Sequence, residues 1–115
     1  MSERDFRLYL MDILESGRAI NEFVKGMSLE TFSNDRKTSS AVIREFEIIG
    51  EAVGKLPFEA KEKHPDVEWQ DIKDFRNLLI HEYFGVDHEI VWKIIQNDLS
   101  ALLDAVMKIT EETNK

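Results

Sequence analysis

Residues 74–87 read D-F-R-N-L-L-I-H-E-Y-F-G-V-D, and this stretch sets three chemically versatile side chains inside an apolar helical pattern. The three side chains are Arg76, His81 and Tyr83. An apolar helix face does not need these residue types for packing. Arginine offers a permanently charged fork that suits phosphate, and histidine both takes and gives a proton near neutrality. The stretch therefore predicts a site that acts on a phosphodiester.

On both sides of this stretch, apolar residues recur at intervals of three and four, which is typical of amphipathic helices. The sequence contains no strand signal and no internal repeat. It therefore predicts an all-α fold, an antiparallel four-helix bundle with short extra helices, in one domain that covers residues 1–115. The four long helices are expected over Arg4–Lys25, from Asp35 to a break at Pro57, from a cap at Asp66 to an end at Gly85, and from a cap at Asp87 through Ile109.

Gly50 lies one turn after Phe46, on the apolar face of the second long helix. Glycine inside a helix costs about 1 kcal/mol relative to alanine. A close helix crossing would compensate for this cost, because the missing side chain lets two backbones approach. We therefore expect another helix to cross at Gly50.

Helix geometry limits how the three side chains can converge. At about 100° per residue, Arg76 and Tyr83 lie roughly 20° apart on one face, whereas His81 lies about 140° from Arg76. Either the helix bends before His81, or the site is composite and uses two chains. We favour a composite site on a two-fold axis, because symmetric dimers are the commonest oligomers.

The composition limits the class of protein. The chain has 115 residues, no cysteine and a net charge of -8, and it has no apolar run of 18 residues. We expect a protein of the cytoplasm, without a membrane segment or a disulfide. The negative charge weighs against a nucleic-acid ligand, because binding a polyanion usually requires a basic surface. Any such site must be local or formed by two chains.

The motif resembles that of a known family. Arg76, Asn77, His81 and Tyr83 match the R-x4-6-H-x-Y signature of the HepT-like branch of the HEPN families. The segment 41–53, A-V-I-R-E-F-E-I-I-G-E-A-V, resembles the second helix of that branch. The segment 69–92 resembles its third helix, its motif and the start of its fourth helix. The resemblance covers nearly the whole chain, without a departure at the motif positions.

The resemblance implies a metal-independent endoribonuclease that acts as the toxin of a toxin–antitoxin pair. Its partner would be a small nucleotidyltransferase, the antitoxin, which attaches AMP to Tyr83. Such proteins are homodimers in which the Arg and His of both chains face one cleft. The resemblance therefore implies an RNA substrate, with transfer RNA and messenger RNA as the expected classes. It implies no binding to DNA or to a membrane, and no cofactor or metal.

Each site residue can be given a role in RNA cleavage, where the 2′-hydroxyl is the internal nucleophile. His81 would act as general acid or base, and Arg76 would hold the phosphate and oppose its developing charge. Asn77 would orient the phosphate or His81.

Other interpretations stay open at this point. The Arg–His pair can instead be a helix-end or surface pair, and the bundle can serve as a non-catalytic docking subunit of a nucleotidyltransferase. The ligand patterns of di-iron bundles and zincins are absent around the three histidines. His64 and His88 are expected to be solvated.

Overall fold

The computed structural model describes residues 5–81 and 85–114 of the chain. Helices and their connections make up this part of the chain, which contains no strand. The predicted all-α class is therefore confirmed. The helices are α1 (Phe6–Phe23), α2 (Leu29–Asn34), α3 (Arg36–Gly54), α4 (Phe58–Glu62), α5 (Trp69–His81), α6 (His88–Asn97) and α7 (Leu99–Thr113).

The long helices form a bundle in which α1 packs against both α3 and α7, while α3 also packs against α5. The shorter α2 packs against α6. The centre of the bundle is apolar, and its largest fully buried side chains come from every long helix; they include Leu10, Ile13, Ile20, Phe32, Ile49, Leu79, Leu99 and Ile109. This packing buries the apolar stripes that the sequence pattern predicted.

Three helices have side-chain N-caps, and those at Asp35 and Asp87 confirm the predicted helix starts. Ser28 forms a capping box with Thr31, whose backbone N–H donates to the Ser28 hydroxyl at 3.2 Å. The carboxylate of Asp35 accepts hydrogen bonds from the backbone N–H of Thr38 at 3.0 Å and from its hydroxyl at 2.9 Å. These bonds hold the pKa of Asp35 below its usual value. Asp87 caps α6 by accepting from the backbone N–H of Glu89 at 2.9 Å.

The predicted last helix is wrong in one respect: it is two helices, α6 and α7, separated by Asp98. The reason lies in their packing, because α6 packs on α2 and α7 packs on α1. The cap predicted at Asp66 is wrong as well. Helix α5 begins at Trp69, three residues later, and Asp66 lies in the turn that precedes it.

The expectation that His64 and His88 are solvated is wrong. The side chain of His64 is 11% exposed, and its Nε2 lies 3.4 Å from Oε1 of Glu112 without the alignment of a hydrogen bond. The ring of His88 packs edge-on against Phe32, with 5.8 Å between the ring centroids. His64 therefore lies against α7 from the α4–α5 connection, and His88 takes part in the contact between α2 and α6.

Within the described ranges, every helix is too short or too polar to cross a lipid bilayer.

Candidate active site

Arg76 lies at a close contact between α3 and α5. A Cβ atom built on Gly50 would fall 2.3 Å from Cβ and 2.6 Å from Cγ of Arg76. Real Cβ atoms essentially never come this close to another heavy atom. The helix crossing predicted from Gly50 is therefore confirmed, and the residue that it accommodates is Arg76.

The guanidinium of Arg76 is held beside Asn77. Nη1 of Arg76 donates to Oδ1 of Asn77 at 3.3 Å, which is a long hydrogen bond. Nε of Arg76 is buried and has no hydrogen-bond partner among residues 5–81 and 85–114. A buried donor without a partner costs about 1–3 kcal/mol, so an arrangement of this kind requires an explanation. The side chain as a whole is only half-buried, and a guanidinium suits an anionic ligand.

His81 is the last described residue of α5, and it is exposed. Helix α5 runs without a break from Trp69 to His81. The angle of about 140° between Arg76 and His81 therefore holds, together with a rise of about 7.5 Å between them. No hydrogen bond joins His81 to Arg76 or Asn77 in the described part of the chain. The structure thus brings Arg76 and Asn77 together, but not His81.

Tyr83, the predicted site of modification, lies outside the described residues.

The C-terminal half of α5 exposes apolar side chains close to these residues. Leu78 and Ile80 are 36% and 37% exposed, although Leu79 between them is fully buried. Ile80 and Leu79 also border a groove between α3 and α5, which Ile43 and Glu47 line from α3. Exposed apolar surface of this kind is common where a second protein chain packs.

In residues 5–81 and 85–114, no three His, Asp or Glu side chains are grouped so that they could hold a metal ion.

Comparison with known proteins identifies the family. The model of the family described as "Ribonuclease HepT-like" matches residues 13–109. This chain belongs to the HepT-like ribonuclease family. The resemblance inferred from the motif and its flanking helices is therefore confirmed at the level of the family. No solved structure gave a significant match.

Curated relatives carry ribonuclease names. "Probable ribonuclease HepT" from Thermococcus cleftensis is 42% identical over 100 residues, which cover 87% of this chain and 91% of that protein. A "Putative RNase" from Methanocaldococcus jannaschii is 39% identical over 112 residues, or 97% of this chain and 93% of the relative. A longer protein from the same organism, "Gamma-glutamylcyclotransferase and putative RNase", is 38% identical over 112 residues. This chain spans 50% of that longer protein.

Proposed function

We propose that this protein is a metal-independent endoribonuclease that cleaves RNA with Arg76 and His81. The observation that supports this most directly is the environment of Arg76. Its charged side chain is half-buried at the crossing with Gly50, and its Nε is buried with no protein acceptor among the described residues. A phosphate oxygen is the acceptor that suits such a guanidinium best, because the bond would be charge-assisted. The family match supplies the substrate class.

The reaction that these residues would perform needs little besides proton transfer and charge stabilisation. The 2′-oxygen of a nucleotide attacks the adjacent phosphorus, and its proton goes to a base. The bond from phosphorus to the 5′-oxygen of the next nucleotide breaks, and that oxygen takes a proton from an acid. The products are a 2′,3′-cyclic phosphate and a 5′-hydroxyl. His81 would move a proton, and Arg76 would stabilise the charge on the phosphorane. From the sequence, Asn77 is expected to orient the phosphate or His81; because it accepts a hydrogen bond from Arg76, we propose that it orients Arg76 instead.

The site would be composite, with Arg76 of one chain and His81 of another facing one phosphate. Two features support this arrangement. The angle of about 140° between the two side chains on a continuous α5 keeps them from converging within one helix. Exposed Leu78 and Ile80 lie between them in sequence and supply apolar surface for a two-fold interface. A dimer would also gather two Arg76 side chains in one cleft of an otherwise acidic protein.

The protein would act as the toxin of a toxin–antitoxin pair, with a nucleotidyltransferase as its antitoxin. AMP on Tyr83 would add a phosphate near Arg76 and would occupy the position of the RNA phosphate. Co-expression with a neighbouring nucleotidyltransferase should then raise the mass of the protein by one or more AMP units on Tyr83. Tyr83→Phe should keep the fold and escape this control. Neutralised toxicity without an adduct on Tyr83 would mean that the antitoxin acts by binding alone.

A second candidate function is a non-catalytic docking subunit for a nucleotidyltransferase. The net charge of -8 favours it, because an acidic surface repels RNA.

Expression in cells separates the two candidates. The ribonuclease should arrest growth, and His81→Ala should abolish the arrest at an equal level of folded protein. His88→Ala is a matched control, because it removes a second histidine that is part of the α2–α6 contact with Phe32. Growth arrest that persists in His81→Ala would contradict the ribonuclease proposal.

A further inference from the structure

A cavity of about 150 Å³ lies between α3, α5 and the start of α7. Its walls are mostly apolar and include Phe46, Ile72, Phe75 and Leu102. Its mouth reaches the protein surface, because exposed residues such as Ala101 also line it. An apolar cavity of about this volume accommodates a benzene ring. The cavity therefore has room for one aromatic side chain and little more.

Four acidic residues are also among those that line this cavity, and we call them its rim. Asp66 and Glu68 come from the turn before α5, Asp71 from the first turn of α5, and Asp98 from the junction of α6 and α7. All four residues are exposed. None of the four side chains has an ion pair or a hydrogen bond to another residue in the described part of the chain. Asp98 is the N-cap residue of α7, but its side chain makes no capping hydrogen bond there. The rim is thus strongly negative without internal neutralisation.

We propose that this cavity binds a segment of a partner protein that inserts one aromatic side chain and carries lysine or arginine on both sides. The volume of the cavity selects the aromatic ring, and the rim selects the flanking positive charges. The cavity accommodates only the ring, so the remainder of the segment must lie over the four carboxylates. RNA is excluded as the occupant, because its phosphates would face the same carboxylates.

This site is distinct from the proposed ribonuclease site. Phe75 lines the cavity and packs against Phe46, with 5.3 Å between the ring centroids. The next residue, Arg76, points about 100° away around α5 and meets Gly50. Both residues face α3, but neither Arg76 nor Gly50 lines the cavity. The partner site goes beyond the proposed cleavage of RNA and does not depend on it.

A pair of blocked pentapeptides tests the proposal on the full chain. Lys-Lys-Phe-Lys-Lys carries the ring and the charges, and Lys-Lys-Ala-Lys-Lys carries the charges alone. Amide chemical shifts from NMR report where each peptide binds. We expect the phenylalanine peptide to shift the amides of residues 66–75 and 98–102, and to bind about tenfold or more tightly than the alanine peptide. Its affinity should fall as salt is raised, because the rim charges are exposed.

Two variants separate the ring from the charges. Ala101→Phe puts a ring at the mouth of the cavity from an exposed position, and it should abolish the preference for the phenylalanine peptide. The quadruple variant D66N/E68Q/D71N/D98N changes four exposed residues and removes the rim charges. It should weaken binding of the phenylalanine peptide about tenfold or more. If Ala101→Phe does not fold, the quadruple variant still tests the proposal. Its four side chains are exposed and form no ion pair or hydrogen bond in the described part of the chain, so their replacement should leave the fold intact. Asp104→Asn is the matched control, since Asp104 is an exposed carboxylate of α7 away from the rim.

Three results would overturn the proposal. The first is equal affinity for the phenylalanine and alanine peptides, which means that only the charges bind. The second is a set of shifted amides away from residues 66–75 and 98–102. The third is saturation by benzylamine at the same concentration as the phenylalanine peptide, which would identify a site for a small aromatic amine. Cleavage of RNA in the quadruple variant should equal that of the unaltered protein, so failure here is distinct from failure of the ribonuclease proposal.

Discussion

Arg76 on α5 packs directly over the bare backbone of Gly50 on α3, where an added Cβ would lie 2.3 Å from Cβ of Arg76. The obstructing atoms are the Cβ and Cγ of Arg76, next to its backbone, so they cannot swing away as the end of a side chain does. Gly50→Ala must therefore push α3 and α5 apart. We expect the free energy of unfolding to fall by about 2 kcal/mol and RNA cleavage to fall by at least about tenfold.

Two other glycines are the controls for this substitution. A Cβ on Gly54, also in α3, meets nothing within 4 Å, so Gly54→Ala should leave cleavage unchanged and raise the free energy of unfolding by about 0.5 kcal/mol. A Cβ on Gly17 meets the end of the Leu103 side chain on α7, which can rotate. Gly17→Ala should cost stability without a specific loss of cleavage. Equal activity of Gly50→Ala and Gly54→Ala in the folded state would contradict the positioning role of Gly50.

Arg76→Met should separate stability from activity. Methionine keeps an unbranched apolar stem in the crossing but removes the buried Nε, which has no hydrogen-bond partner among residues 5–81 and 85–114. Because a buried donor without a partner is unfavourable, we expect the free energy of unfolding to rise by about 1 kcal/mol while cleavage is lost. Chemical denaturation and an RNA cleavage assay on the same preparation measure both. A loss of more than about 2 kcal/mol would mean that the guanidinium stabilises the fold instead of binding a ligand.

Asp35→Ala should weaken the start of α3 in a pH-dependent manner. The hydrogen bonds from Thr38 lower the pKa of Asp35 in the folded state, so the stabilisation is fully present above the usual carboxyl value of 3.8. This stabilisation is lost as the pH falls through the lower pKa that Asp35 has in the folded state. At pH 7 the variant should melt about 4 °C lower than the unaltered protein. This difference should narrow below about pH 3.8, and a constant difference down to pH 2 would contradict the assignment.

A mixture of two inactive variants tests the composite site. An Arg76→Ala dimer lacks the arginine of both sites, and a His81→Ala dimer lacks the histidine of both. A mixed dimer keeps one site with Arg76 from one chain and His81 from the other. After subunit exchange, half of the dimers should be mixed and each should carry one of two sites, so cleavage should recover to about a quarter. No recovery, with exchange shown by mass spectrometry, would indicate that each chain holds a complete site or that none exists.

Much of the fold was predictable because its determinants are local. The carboxylates of Asp35 and Asp87 cap the helices that the sequence pattern assigned to them. The break at Asp98 was not predictable, because the apolar stripe continues in register on both sides of it and neither proline nor glycine lies nearby. This break arises because α6 and α7 pack on different helices, and that is information from distant parts of the chain.

The candidate site was predictable in its residue types but not in its contacts. The apolar face around Gly50 indicated a close crossing, yet nothing in the spacing indicated that Arg76 is the residue opposite. Glycine has no side chain, so its chemistry does not indicate which residue will contact it. The contact with Arg76 depends on the relative orientation of α3 and α5. The angle between Arg76 and His81 was available from helix periodicity alone, and the continuous α5 keeps that angle.

One measurement tests the central claim most directly. The purified protein, without AMP on Tyr83, is incubated with total RNA in the presence of EDTA, beside His81→Ala and Arg76→Ala. The ends of the fragments are then analysed. We predict cleavage in EDTA that leaves 2′,3′-cyclic phosphates and 5′-hydroxyls and that disappears in both variants. Cleavage that is lost with EDTA and restored by Mg²⁺, or that persists in His81→Ala, would contradict this account.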